Sequence, residues 1–185
     1  MSETTPPASA AKAAPPSVQR VVDAFPVPGV SAHESQGQWW VEVPREKVLE
    51  ALRFLRDDPE LRFDMLNDVT CTDHPEEEPR FKVVWNLTSL SRKERIRLKA
   101  RCPEEDPVVP SAVGLWATAN WLEREAYDMF GVRFEGHPDL RRILMPLDFP
   151  SFPLRKEFPM EGERSDRDWA RWVIERARRP EEERP

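Results

Sequence analysis

Between positions 123 and 142 the chain carries Glu123, Glu125, Asp128, His137, Asp139, Arg141 and Arg142. An imidazole beside a carboxylate, with two guanidinium groups and three further acids close by, supplies the ingredients of acid–base or phosphate chemistry. What would turn these ingredients into a catalytic site is missing. No nucleophile elbow, phosphate-cradling glycine loop, dinucleotide fingerprint or metal spacing accompanies them. The two cysteines, Cys71 and Cys102, are far apart in sequence, and His33, His74 and His137 are scattered, so no ligand set is spaced for zinc or an iron–sulfur cluster. The competing assignment is structural: His137 caps a turn, Arg141 and Arg142 neutralise helix carboxylates or a partner, and Tyr127 packs in the core. Residue types alone favour it.

The elements that must position these groups follow from spacing. Asn120 is a good N-cap and Glu123 three residues later completes a variant of the capping box, which predicts a helix from Trp121. Leu122, Ala126, Met129 and Phe130 form its apolar stripe, and Arg124 and Asp128, four apart, are expected to pair on the other side. Gly131 fits the left-handed position that ends a helix. Val132 and Phe134 alternate around Arg133 as a brief strand. Residues 137–159 then hold five prolines among large apolar side chains. Such a segment lacks ladder hydrogen bonds of its own, so it is expected to be extended and to lie on a surface, either its own domain's or a partner's. Ser165 with Asp168 opens a final helix, with Trp169, Trp172, Val173 and Ala177 on one face.

Upstream, residues 1–17 are rich in Ala, Pro, Ser and Thr and read as a disordered tail. Val18, Val21, Val22 and Phe25 have helical spacing. Residues 30–35 and 39–43 read as a hairpin about Gln36-Gly37. Pro44 opens a helix with Val48, Ala51, Leu52 and Leu55 as its buried stripe. Three alternating runs follow, Leu61/Phe63/Met65, then Phe81/Val83/Trp85/Leu87, then Ile96/Leu98/Ala100/Cys102, the pattern of a meander with one buried face. Residues 103–110 read as an acidic, proline-punctuated loop. The class is α+β: an antiparallel or mixed sheet of about five strands packed with helices, an extended Pro-rich C-terminal segment and a final helix. The divisions are a tail at 1–17, the domain with its signature helix at 18–135, an extended interface segment at 136–160, and a helix and tail at 161–185.

Of the 185 residues, 20 are proline, about twice the usual share. No stretch reaches the ~20 apolar residues that span a bilayer, and the start lacks a signal-peptide pattern, so a soluble, cytoplasmic chain is expected. A net charge of −6 argues against a general nucleic-acid binder. Arg95, Arg97, Lys99 and Arg101 make a basic ladder on the outward face of one strand; a solvated face balanced by neighbouring acids explains it more simply than an acidic or nucleic-acid partner.

Residues 123–144, EREAYDMFGVRFEGHPDLRRIL, closely resemble the signature of the C-type subunit of proton-translocating NADH-quinone oxidoreductase, respiratory complex I, called in mitochondria the thirty-kilodalton (30 kDa) subunit. The resemblance continues through Pro146, Asp148 and residues 153–159, and more loosely back to about residue 20. It departs at 149–152, where the family has a Trp and a Gly and this chain has Phe149 and Ser151. The resemblance implies a non-catalytic α+β subunit of the hydrophilic arm that binds no cofactor. FMN and iron–sulfur clusters then reside in partner subunits, which carry electrons from NADH to quinone while protons are pumped. It implies packing against the D-type subunit that builds the quinone pocket, with other hydrophilic-arm subunits nearby, peripherally on the cytoplasmic side of the cell membrane. Glu123, Arg124, Glu125, Tyr127 and Asp128 would form a network holding the loop, Gly131 and Gly136 would permit turns, and His137, Asp139, Arg141 and Arg142, with Pro138 and Leu140 between them, would face the partner. An equivalent subunit of a related membrane hydrogenase or dehydrogenase with another electron donor fits the same residues. A lone enzyme using His137 and Asp139 is the alternative of a different class.

Overall fold

Period-two alternation builds the centre of the molecule. Phe81, Val83, Trp85 and Leu87 on β4 (Phe81–Ser89) and Ile96, Leu98, Ala100 and Cys102 on β5 (Glu94–Cys102) are all buried, as one-sided packing of a strand requires. The two strands pair antiparallel from Phe81↔Cys102 to Ser89↔Glu94. β3 (Met65–Asp73) adds antiparallel to the free side of β4. On the far side of β5, β2 (Gln38–Glu42) runs parallel over three residues, Trp40↔Arg97 to Glu42↔Lys99. β1 (Ser31–Ser35) closes a hairpin onto β2 through Gln36 and Gly37, both at positive φ, the backbone twist that two-residue hairpin turns need. The result is a mixed five-stranded sheet in the order β1-β2-β5-β4-β3, within the expected α+β class. The computed structural model describes residues 13–147 and 149–160, with Arg171, Ile174, Glu175 and Arg178.

Helices supply the apolar layer. α1 (Pro16–Ala24) buries Val18 and Val21, and α2 (Val48–Asp57), entered through a 3-10 turn after Pro44, buries Val48, Ala51, Leu52 and Leu55. α2 carries the chain from β2 to the opposite edge of the sheet. Beyond β5, β6 (Val108–Pro110) and β7 (Arg133–Glu135) form a parallel pair, and α3 (Ala119–Phe130) between them packs against β3.

Four expectations are revised. The helix α1 begins at Pro16, inside the span read as tail, and Ser17 is already buried. Leu61 and Phe63 are buried but lie in the turn that follows α2, where the Phe63 N–H donates to the Leu55 carbonyl at 2.9 Å; the strand starts only at Met65. Its true extent is hidden by a bulge between Leu66 and Asp68, which moves the buried positions to Leu66, Val69, Cys71 and Asp73, because an inserted residue breaks period two. The stretch read as a loop at 103–110 ends in β6. Residues 1–12 of the tail, and the final helix with Trp169, Trp172, Val173 and Ala177, lie outside the described residues.

Leu98 is fully buried on the central strand. Leu98→Ala is expected to lower unfolding stability by about 2–5 kcal/mol, read as a drop in the denaturant midpoint at unchanged slope.

Candidate functional site

α3 starts at Ala119, two residues earlier than the spacing predicts, with Thr118 before it and no side-chain cap. Asn120 is therefore inside the helix and its carbonyl, not its side chain, is used: it accepts from His137 Nε2 at 3.1 Å. Glu123 is freed from any capping role. Fully buried, it accepts the Ser111 hydroxyl and the Ala112 N–H, each at 2.6 Å, and so ties the loop after β6 to α3. Burial pushes its carboxyl up to about 7, against the lowering effect of those two donors.

Asp128 occupies another side of the same helix with the opposite balance. Its side chain has no exposure, yet Oδ1 pairs with Arg142 Nη1 at 2.6 Å, and Oδ2 accepts the backbone N–H groups of Ile143, Leu144 and Met145 at 3.0, 2.7 and 2.8 Å. Burial alone would raise this carboxyl; the Met145 N–H, the Arg142 guanidinium and the Ile143 and Leu144 N–H groups overcome it and hold the group below its ordinary value. Arg142 extends the anchor, donating from Nη2 to the carbonyls of Phe149 and Ser151 at 2.9 and 3.0 Å. Only a tenth of its side chain is exposed, so it holds the loop from inside and does not stand free for a partner.

The expected Arg124–Asp128 pair is not formed. With Asp128 saturated by Arg142 and three amides, Arg124 lies over the Trp121 ring at 5.1 Å and donates to the carbonyls of Arg141 and Arg142 at 3.1 and 3.2 Å. His137 accepts the Asp139 N–H on Nδ1 at 3.0 Å while Nε2 faces the Asn120 carbonyl, which puts its proton on Nε2 and uses both nitrogens on backbone. Asp139 and Arg141 pair with each other at 2.9 Å on the surface. Pro138 and Glu125 are exposed and Leu140 is half-buried against the core. Gly131 ends α3 at φ 78°, and a Cβ there would lie 2.6 Å from the Phe152 ring, which also meets Tyr127 edge-on at 6.3 Å. Gly136 turns the chain at φ 83°.

A second anchor escaped the sequence reading. Asp73, at the end of β3, makes a two-pronged pair with Arg80 at 2.7 and 2.8 Å and accepts the Lys156 N–H at 2.8 Å; Arg80 also reaches Glu104 and Glu157. Arg80 holds the Asp73 carboxyl below its usual range despite burial. Arg155 lies over Phe81 and Phe152 and donates to the Phe130 carbonyl at 2.7 Å. Asp73 and Arg80 are separated by a turn in sequence, a spacing with no periodic signal. Among the described residues no three His, Cys, Asp or Glu side chains gather as metal ligands, and burial raises both thiols, Cys102 to about 11.

The two acids of α3 give opposite pH responses. The folded chain holds the Glu123 proton more tightly than the unfolded chain, whose ordinary value is 4.5, so this residue's contribution to stability is full below about pH 4.5, falls as pH rises toward 7 and is flat beyond. Glu123→Gln is expected to remove that slope in denaturation curves collected between pH 4.5 and 7.5. Asp128→Asn leaves Arg142 buried without its counter-ion. The expected loss is about 3–5 kcal/mol, with hydrogen exchange accelerating first at Ile143, Leu144 and Met145.

Residues 41–164 match the family described as respiratory-chain NADH dehydrogenase, 30 kDa subunit. The C-type subunit numbered 2 of NADH-quinone oxidoreductase from Rhizobium meliloti strain 1021 is 52% identical over 128 residues, covering 69% of this chain and 70% of that one. The C-type subunit of the same enzyme from Roseiflexus sp. strain RS-1 is 46% identical over 146 residues, covering 79% and 84%. Among solved structures, the trypsin-resistant fragment 1–134 of Nqo5 superposes with a TM-score of 0.60 at 35% identity, over 67% of this chain and 99% of that one. A chain of an archaeal respiratory membrane complex, the membrane-bound sulfane sulfur reductase, shares the fold with a TM-score of 0.63 at 21% identity, over 91% and 95%. The chain belongs to the 30 kDa subunit family of respiratory-chain NADH dehydrogenase, the C-type subunits of NADH-quinone oxidoreductase.

Proposed function

We propose that this chain is a non-catalytic scaffold of the hydrophilic arm of complex I. Its signature surface docks on the D-type, quinone-site subunit, and other hydrophilic-arm subunits adjoin it. NADH oxidation, FMN and the iron–sulfur clusters belong to partner subunits, quinone is reduced next to the partner, and proton translocation is driven elsewhere in the assembly. The site supporting this reading is one whose polar groups are spent internally. Glu123, Asp128, Arg124, Arg142 and both nitrogens of His137 have their partners within the chain, so none of these groups is a general base aimed at open space.

What the anchors present outward is apolar. Trp121, Leu144, Leu147 and Leu154 are all exposed beside the anchored segment, with Arg141 next to them. Aromatic, aliphatic and arginine side chains fixed on a rigid support are what a protein interface uses. Among the described residues no helix is long and apolar enough to cross a membrane, in keeping with a peripheral place on the cytoplasmic side. A complex fed by a different donor remains the second reading, since the fold also occurs in the sulfane sulfur reductase; identities near 50% to NADH-quinone subunits favour NADH.

The test is purification from mild detergent through a tag on this chain. The native chain is expected to bring the D-type subunit with it, whereas Leu144→Asp/Leu147→Asp is expected to lose that partner and the NADH-quinone activity of the membranes while keeping a native circular-dichroism spectrum. Arg141→Glu should weaken the association. An assembled, active complex containing all three substitutions overturns the reading, as does NADH oxidation by the purified lone chain.

A further inference from the structure

The outward face of the sheet is unevenly neutralised. At one end Arg101 pairs with Glu42 and Glu77, and Lys82 pairs with Glu77. In the middle Lys99 stands over the Trp40 ring at 3.9 Å, and His33 stacks on the same Trp40 ring at 5.4 Å. The guanidinium groups of Arg95 and Arg97, at the other end, have no hydrogen-bond or ion-pair partner among the described residues, although Arg97 is half-buried. A solvated face explains the first end and not the second.

Topology opens a cleft at that second end. β2 and β5 are parallel but pair only from Trp40↔Arg97 onward; before that point they diverge, one into the β1–β2 turn and the other into the β4–β5 turn. The cleft has a volume of about 570 Å³ and is lined by Trp39, Asp68, Asn86, Thr88, Arg95 and Arg97, among others. Its donors are underused. The Trp39 indole N–H also has no acceptor, but it is shielded from solvent on the core-facing side of β2, opposite the arginines. Asn86 spends one amide hydrogen on Asp68 at 3.4 Å, and Thr88 donates to Asn67 at 2.6 Å, leaving the Asn67 amide hydrogens available. Asp68 is the one carboxylate in the lining, so the two guanidinium groups leave a net positive charge.

We infer that this cleft binds a phosphate-bearing anion, with Arg95 and Arg97 gripping a diphosphate or phosphodiester group and the remaining Asn86 amide hydrogen, on the same face of the sheet, completing its hydrogen bonds. Two residues apart on one strand, the arginines project from the same face about 7 Å apart. That separation suits two linked phosphoryl groups better than one carboxylate, and the planar fork of arginine matches phosphate oxygens two at a time. The volume accommodates a nucleotide-sized ligand or the headgroup of an anionic lipid. The site does not rest on the assembly proposed above and lies on residues separate from the signature surface.

The probe is inorganic pyrophosphate, titrated calorimetrically into the full chain, with sedimentation against phosphatidylcholine vesicles with and without phosphatidate as a second arm. Saturable pyrophosphate binding is expected, weakened about tenfold or more in Arg95→Gln/Arg97→Gln and a few-fold in Asn86→Ala, with Arg92→Gln, in the neighbouring turn, binding as the native chain does. Sedimentation with phosphatidate vesicles alone, abolished by the same arginine pair, assigns the phosphate to a lipid headgroup. Binding of neither probe at millimolar pyrophosphate, or equal binding by the double variant with an unchanged melting profile, overturns the inference.

Discussion

The Asp128 carboxylate is the contact on which the C-terminal third depends. A segment containing five prolines cannot satisfy its amides in a ladder, and buried N–H groups left unpaired cost roughly 1–3 kcal/mol each. Asp128 solves this by gathering three consecutive N–H groups onto one oxygen and Arg142 onto the other. The anion is stabilised in a dry place because four donors converge on it. The amides in turn gain a charged acceptor, stronger than a neutral carbonyl. Each party makes the burial of the other tolerable, so neither the helix side chain nor the loop geometry is stable alone.

Glu123, five residues earlier, does the contrary with the same chemistry. Two neutral donors do not offset its burial, and its proton is held up to neutral pH. α3 therefore carries one acid that must be charged and one that tends to be neutral, each tying down a different loop: residues 111–112 by Glu123, residues 143–145 by Asp128. The helix acts as a spar between them, and the Asp73–Arg80 pair clamps the chain again at Lys156 on the far end of β3 and β4. Two buried carboxylates, Asp128 and Asp73, thus order most of a segment whose own sequence prefers no regular structure, and a third, Glu123, fixes the loop ahead of the helix.

Much of this was legible. The buried stripe of α2 and the alternation of β4 and β5 could be read residue for residue, because each element buries one face and carries no irregularity. The turn at Gln36-Gly37 and the left-handed Gly131 were likewise readable from local chemistry. β3 was misplaced because its bulge shifts the phase of burial after Leu66, and Leu61 and Phe63, which alternate as a strand would, are buried by a turn. Asn120 and Glu123 satisfied a local capping pattern that tertiary contacts overrode: once Ser111 and Ala112 approach, Glu123 is worth more inside than at the helix end. Partner choice among ionic side chains was the least legible, since Arg124 is the neighbour of Asp128 in helical spacing but Arg142 is its neighbour in space.

The same bias explains how a segment dense in titratable residues can resemble a catalytic centre in sequence. A group that moves protons or attacks a substrate needs an open hydrogen-bonding position facing a space a substrate can enter. His137, Asp128, Glu123 and Arg142 have none: their valences end on backbone amides, backbone carbonyls or one another. Arg95 and Arg97, by contrast, belong to no recognisable motif and stand with their donors unclaimed beside a cleft. Motif density reports where backbone is being held in an unusual path. Unsatisfied donors report where something else is expected to bind, and in this molecule the two lie on different surfaces.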